Sequence, residues 1–416
     1  MRPPAVHLRA PTPGLLRLPW DVPLADWSDD DVRFHELEVG PSRHVVRFLS
    51  LGGDGPLYAV KELPARLARR EYAVLRDLES RRLPSVEAVG LAERADGEAI
   101  LVTEHLAHAW QYRRLFLRLG EAGRLHRGRL FDAMAGLLVE LHAAGVYWGD
   151  CSLPNTLFRR DGQALQAFLV DAETSEVHPT LSDGQREMDL EILVENVSGG
   201  LADIGAQLGL SDEAIADDIE DALAVRDRYE ALWDELRDRD VAPSDRHAVE
   251  ARIRRANELG FAVEELSLEP AGDADRLRLH LTVAGRHFHA EALRRLVGLE
   301  TGEGQAAILL GDLQAYGAAL AAQGQKLPER EVGERWLREV VRPMLPLAHA
   351  ALGERGDPIQ AYCDLLEVRW LLSERAGENV GDEAALMALA ARETPERSAA
   401  ELADADLLPG ESGASD

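Results

Sequence analysis

Apolar and polar residues alternate through three early stretches, VRFHELEV (32–39), HVVRFLSL (44–51) and PLYAVKEL (56–63). A period of two predicts strands, and GGDG (52–55) predicts a tight turn between two of them. The next segment, PARLARREYAVLRDLES (64–80), changes period: Leu67, Tyr72, Leu75 and Leu78 fall near helical spacing behind an initial proline. Two further strands are predicted at VEAVGLAER (86–94) and EAILVTEHL (98–106), joined by an Ala-Asp-Gly turn. The first hundred residues therefore read as a mostly antiparallel sheet with one inserted helix. Ahead of it, residues 1–30 are Pro-rich and read as an extended arm, although LLRLPWDVPLADW (15–27) carries enough apolar weight to pack on a domain.

From 110 to 145 the pattern is helical, ending in the strongly apolar RLFDAMAGLLVELHAAG (129–145), whose final glycine suits a helix terminus. A loop-like stretch, GVYWGDCSLPNTLF (145–158), follows; then ALQAFLVDAETSE (164–176) predicts a strand that breaks at Asp171. Residues 185–238 are helical, and DVAPSDRH (240–247) reads as a linker. A second unit begins near 247 with a helix, strands at FAVEELSL (261–268) and RLRLHLTV (276–283), and helices near 287–299, 303–323, 329–352 and 357–375. Trp336 and Trp370 sit in the apolar rows of these helices and are expected in a core. Residues 394–416 are acidic and rich in Ala, Gly and Ser, a composition that predicts disorder. The expected domains are thus an arm at 1–30, a first domain at 31–240, an accessory domain at 247–393 and a tail at 394–416.

Composition narrows the function classes. The 416-residue chain carries 74 acidic and 46 basic residues, a formal charge of -28. Such a surface repels nucleic acid and anionic membranes. Two cysteines, Cys151 and Cys363, are too few for a disulfide framework and point to the reducing cytoplasm. The N-terminal stretch lacks the apolar centre of a signal peptide, and no run of residues has the length and apolarity of a membrane span. Lysine occurs only at Lys61 and Lys326; other basic positions are arginine. Arginine is a broad planar fork and lysine a compact point charge, so a lysine retained against this bias is a candidate for a role that arginine cannot fill.

Five residues then stand in a telling order: Lys61 late in a strand, Glu71 in the next helix, Asp150 and Asn155 in a loop after a long helix, and Asp171 at a strand end. Phosphoryl transfer needs phosphate charge neutralised and the nucleophile held in line. An ammonium on a strand reaches phosphates, and a carboxylate on the neighbouring helix directs it. Asp171 and Asn155 offer Mg²⁺ one anionic and one neutral oxygen, with Glu173 as an auxiliary ligand or simply a polar neighbour. Asp150 would orient or deprotonate an acceptor hydroxyl. Taken singly, Asp150 and Asn155 read better as turn-capping residues; the ordered set favours the reaction.

GVYWGDCSLPNTLF followed by LVDAE resembles the catalytic and metal segments of the atypical kinases: the lipopolysaccharide (Kdo) kinase-like, RIO and aminoglycoside phosphotransferase groups, with Ser152 two places after Asp150 as in those groups. The resemblance spans roughly residues 30–235. The remainder, with RHFHAEALRRLVGLETGEGQAAILLGDLQAY and AYCDLLEVRWLLSERAGENVG, is similar to a bacterial domain of unknown function, number 4032, found fused to such regions. The resemblance implies an α+β chain. A two-lobed protein-kinase-like fold, with a small antiparallel-sheet N-lobe and a helical C-lobe, precedes a smaller, mostly helical α+β accessory domain. It implies an ATP- and Mg²⁺-dependent phosphotransferase acting on a hydroxyl acceptor, with Lys61, Glu71 and Asp150 as catalytic residues. Nucleotide contacts fall to Lys61, Gly40, Ser42, Arg43, Glu104 and Leu106, and metal contacts to Asn155, Asp171 and Glu173. Asp189 and Trp148 would support the catalytic loop, and the C-terminal domain would offer a surface to a protein partner.

Three departures qualify this picture. The glycine-rich loop shrinks to VGPSRH (39–44), so the Gly40–Arg43 backbone is left to cradle phosphate. Trp148 stands where kinases usually carry His. The segment between Asp171 and Asp189 is short, offering little platform for a peptide, which favours a sugar, lipid or small-molecule hydroxyl. Two rival readings stay open: a nucleotide-binding pseudokinase that serves as a scaffold, and AMP transfer on the same fold. His280, His287 and His289 lack the cysteine or carboxylate spacing of a metal site and read as structural or surface residues. Nothing near Cys151 lowers a thiol pKa.

Overall fold

The computed structural model describes residues 3–9, 13–28, 32–37, 43–52, 55–112, 115, 124–242, 246–270, 277–395 and 398–406. The chain forms two compact units: Met1–Tyr112, Leu137–Leu157 and Ala167–Arg226 make the first, and Arg113–Gly136, Phe158–Gln166 and Asp227–Asp416 the second.

The first unit is built on a six-stranded sheet. In chain order its strands are β1 (Ala5–Leu8), β2 (Arg33–His35), β3 (Val45–Ser50), β4 (Leu57–Pro64), β5 (Glu87–Glu93) and β6 (Glu98–Glu104); across the sheet they run β1-β5-β6-β4-β3-β2. All the pairings are antiparallel. β4 pairs on both sides, with Val46 and Leu101 flanking Lys61. The helix Ala65–Ser80 buries Ala68, Glu71, Val74, Leu75 and Leu78; of the four residues picked out by spacing, Leu75 and Leu78 are buried while Leu67 and Tyr72 are half-buried.

Residues 1–30, read as an extended arm, are folded into this unit instead where they are described. Ala5–Leu8 forms an edge strand on β5. Leu15, Leu18, Trp20, Leu24 and Trp27 join Leu49, Tyr58, Val60, Ile100 and Val102 in one core. Both indoles close local turns, Trp20 Nε1 donating to the Leu15 carbonyl and Trp27 Nε1 to that of Val22, each at 3.1 Å. The apolar weight at 15–27 outweighs the prolines because it completes a core that a sheet alone leaves open.

The helix predicted across 110–145 is described at Arg124–Ala143, while Ala109–Gln111 is a strand. A hairpin of Thr156–Asp161 and Ala164–Leu169 follows the 145–155 loop. The helical stretch 185–238 divides into Asp183–Leu208 and Asp212–Asp234.

In the second unit Arg239–Val241, whose last two residues fall in the linker predicted from sequence, is a strand pairing with Leu277–Arg286, which also pairs with Phe261–Pro270. Helices Phe288–Val297, Glu303–Ala322, Glu329–Trp336, Arg342–Ala351, Pro358–Ala376 and Gly381–Ala391 enclose a core with Leu293, Leu309, Trp336, Tyr362, Leu365 and Leu389. Asp312 lies within that core's polar lining, accepting from Trp336 Nε1 (2.8 Å), Tyr362 Oη (3.0 Å) and an Arg369 guanidinium nitrogen (3.1 Å). Trp370 is not in the core: it is 59% exposed, because Pro358–Ala376 turns its buried face elsewhere at that position. Part of the tail is ordered as well. Ser398, Ala399, Ala400 and Leu402 are buried, with Ser398 Oγ donating to Glu367 at 2.8 Å. Residues 407–416 lie outside the described residues. Among the described residues no helix is long and apolar enough to cross a membrane.

Candidate functional site

β4 carries Lys61 toward the helix that holds Glu71. The Lys61 ammonium donates to Glu71 Oε2 at 3.0 Å and to Asp171 Oδ2 at 2.8 Å, with Glu173 Oε2 at 3.5 Å. Oxygens of Glu71, Asp171 and Glu173 all lie within 4.8 Å of one another. Asp171 follows the strand Ala164–Leu169 and accepts the Glu173 amide at 3.0 Å, which curls the chain so that both acids face the lysine. That strand's end is pinned to the region ahead of β5: Val86 N donates to the Leu169 carbonyl and Leu169 N to that of Pro84, both at 3.0 Å. Arg70, beside Glu71, reaches the carbonyls of Thr174 (3.3 Å) and Ser175 (3.1 Å) and so fastens the segment after Asp171 to the Glu71 helix.

Charge is out of balance here: three carboxylates share one ammonium. Burial pushes Glu71 up to about 7, and Asp171 adds to the rise against the opposing pull of Lys61. Burial alone would lower Lys61, but the Glu71 and Asp171 carboxylates outweigh it and raise the lysine. The cluster is short of positive charge, which suits a hard divalent cation taking oxygen ligands.

The 145–155 loop is held from beneath. Asp189, fully buried in the helix Asp183–Leu208, accepts the amides of Trp148 (2.7 Å) and Gly149 (2.8 Å) and lies 3.2 Å from His142 Nε2. Burial lowers the His142 imidazole, and the Asp189 carboxylate pulls against that fall. Trp148 is fully buried, and its carbonyl accepts the hydroxyls of Thr174 (2.9 Å) and Ser175 (3.1 Å). Gly145 starts the loop at φ 77, where a side chain would collide with the His178 carbonyl. So anchored, the loop presents Asp150 on the surface, and Asn155 Nδ2 donates to Asp150 Oδ2 at 2.9 Å. Val170 N donates to the Asn155 carbonyl at 3.0 Å, placing Asn155 one residue from Asp171 across the mouth of the hairpin. Cys151 is buried under this loop and burial pushes its thiol well up, which leaves it inert.

The structure thus brings Lys61, Glu71, Asp171 and Glu173 into one cluster and joins Asp150 to Asn155 in a second pair. Of the residues assigned to nucleotide, Gly40 and Ser42 lie outside the described residues, and Arg43 is exposed just ahead of β3. Glu104, exposed, ends β6, and Leu106, half-buried, follows it; among the described residues neither is hydrogen-bonded to the Lys61 cluster. His280 and His289 do not converge on a common site: His280 meets Asp238 and His289 meets Glu303, each at 2.6 Å. One residue of the site carries no sequence signal. His44 Nε2 lies 3.1 Å from Glu173 Oε2, the same oxygen that Lys61 approaches. A lone histidine in a turn, 129 positions from its partner, has no local pattern to mark it.

Residues 56–215 match the Lipopolysaccharide kinase (Kdo/WaaP) family, and residues 231–392 match a domain of unknown function, DUF4032. No curated protein matches the chain. A solved structure titled "WaaP in complex with acyl carrier protein" is 22% identical, with 54% of this chain and 89% of that chain covered, at a TM-score of 0.34.

Proposed function

From a chain that joins a kinase-like region of the lipopolysaccharide kinase family to a domain of unknown function, we propose an ATP- and Mg²⁺-dependent phosphotransferase that moves the γ-phosphoryl group to a hydroxyl. The observation that carries this reading is the Lys61 ammonium held between Glu71 and Asp171, beside the Asp150–Asn155 pair. Lys61 would bind the nucleotide phosphates, and Glu71 would orient it. Asp171 and the Asn155 amide oxygen would hold the metal, with Glu173 in reserve. The donor set fits: hard oxygens, one of them neutral, in a cluster that lacks positive charge. Bound there, Mg²⁺ supplies charge neutralisation on the phosphates.

Asp150 would accept the proton of the acceptor hydroxyl as its oxygen bonds to the γ-phosphorus. The bond from that phosphorus to the bridging oxygen would break, and ADP would depart with the released electron pair, its phosphate charge offset by Lys61. The Asn155 N–H bond to Asp150 keeps the carboxylate aimed outward, where a substrate can reach it. The short stretch between Asp171 and Asp189 supports a sugar, lipid or small-molecule hydroxyl over a peptide.

Incubation with ATP labelled separately at the γ- and α-phosphate tests the reaction. Labelled acceptor from the γ-position supports it, whereas label from the α-position would establish AMP transfer. Asp150→Asn should lower turnover by about 10²–10⁴-fold. Undiminished turnover in Asp150→Asn or Asp171→Ala would remove the roles assigned to these residues.

A further inference from the structure

The hairpin between Asn155 and Asp171 belongs to the first unit at its mouth and to the second at its tip, where Phe158–Gln166 are counted. Its tip reads as polar, with Arg160, Asp161 and Gly162, yet all three residues are buried. Their partners come from the C-terminal part of the chain.

Asp161 caps the helix Glu303–Ala322: its two carboxylate oxygens accept the Gly304 amide at 2.8 Å and the Gln305 amide at 2.9 Å. A carboxylate on the free N–H groups of a helix start is a favourable placement for the negative charge. Gln360 reads the next peptide from both sides, its Oε1 accepting Gly162 N and its Nε2 donating to Gly162 O, each at 2.9 Å. Arg160 is ion-paired to the buried Asp364, which Gln360 Nε2 also supports at 3.0 Å. The fit leaves no room for side chains. A Cβ on Gly302 would overlap the Asp161 carboxylate, and one on Gly304 would overlap the Asp161 carbonyl.

We propose that the C-terminal domain is a positioning element for the metal site. It grips the hairpin tip at Arg160–Gly162 and thereby fixes the register of the two strands that present Asn155 and Asp171. The inference rests on the phosphotransferase reading, which makes those two residues metal ligands. Asp161 lies six positions beyond Asn155, a span of roughly 20 Å along a strand. At the mouth, Val170 N closes on the Asn155 carbonyl, so the two ligands are neighbours only while the register holds. A slip of one residue turns each side chain to the opposite face of the hairpin. Holding both the tip and the mouth excludes that slip. Asp161, Gln360 and Asp364 are positioning residues: each acts on the metal through the hairpin.

The test uses the full chain and Gly304→Ala, far in sequence from either ligand. Three quantities are read: amide hydrogen exchange over 156–170, Mn²⁺ affinity by electron paramagnetic resonance with ATP present, and ATP affinity in EDTA. The expected result is faster exchange in the hairpin, Mn²⁺ affinity lowered about 10-fold or more, and ATP affinity in EDTA unchanged. A general loss of structure would speed exchange throughout the chain and lower both affinities; should Gly304→Ala not fold, the same comparison is made on Gln360→Ala. Faster hairpin exchange with unchanged Mn²⁺ affinity overturns the proposal and leaves the phosphotransferase reading standing. A wild-type chain that binds no Mn²⁺ with ATP overturns the phosphotransferase reading itself, and the proposal with it.

Discussion

Two clusters of charge in this molecule differ in how fully they satisfy themselves. Around Lys61, one ammonium serves Glu71, Asp171 and Glu173, and Glu71 is pushed up to about 7. Around Gly162, each anion has its own partners: Asp161 has two backbone amides, and Asp364 has Arg160 and Gln360. Burial pushes Asp161 and Asp364 up as well, but those partners pull against it. The first cluster is open: beside Lys61, His44 is the only basic side chain paired with its carboxylates among the described residues, and the surplus of negative charge suits a cationic ligand. The second is closed more nearly: its charges pair with one another and with backbone amides, although Asp364 Oδ2 and Arg160 Nε are buried without a hydrogen-bond partner among the described residues. Both are polar and both are largely withdrawn from water; the count of partners, more than the burial, separates a site from a clamp.

The sharpest way to break the comparison is to damage the closed cluster. Arg160→Ala leaves Asp364 buried without its cation, and should cost about 3–5 kcal/mol of stability, measured by denaturant unfolding. A loss under 1 kcal/mol would mean that the cluster is not the closed structure described.

The open cluster should respond in the opposite sense. Glu71 has a folded pKa of about 7, above its ordinary 4.5, so the folded chain binds this proton more tightly than the unfolded chain. Its contribution to stability is fully present below the unfolded value and is lost as pH rises through about 7, amounting to up to about 3 kcal/mol. Glu71→Gln removes that loss. The variant should be at least as stable as the wild type at pH 8 while turning over more slowly. Equal pH dependence of unfolding in the two proteins would refute the assignment.

The smallest effect is expected outside both clusters. Trp370→Ala should change stability by no more than about 0.5 kcal/mol, since the side chain is 59% exposed. Trp336→Ala, from the core of the same unit, should cost about 3–5 kcal/mol. Similar losses from both would place Trp370 in the core after all.

The same contrast explains what the sequence makes legible. Lys61 stands out because lysine is rare in this chain, and Asp150, Asn155 and Asp171 stand out by their order. β4 and the helix Ala65–Ser80 follow from simple periodicity, since each has one apolar face against the core. The strand Thr156–Asp161 escapes the same reasoning because Arg160 and Asp161 are buried charges, which a polarity pattern places in solvent. Their partners lie 143 to 204 residues away, beyond any local window. His44 is hidden for the same reason. Trp370 fails in reverse, an apolar residue on the right helical row whose position faces no neighbouring element closely enough to be covered. The strand at Arg239–Val241 lies among residues typical of linkers, and only its pairing with Leu277–Arg286 defines it.

The tip of the hairpin has a last consequence. The two family matches, 56–215 and 231–392, meet on paper at a clean seam. In the folded chain, Asp161 from the first match terminates a helix of the second, and Gln360 from the second reads a peptide of the first. Removing either stretch would strand buried polar groups in the other. Cutting the chain at that seam would leave unsatisfied polar groups on both sides of the cut, so the role of the second stretch is best sought with the first in place.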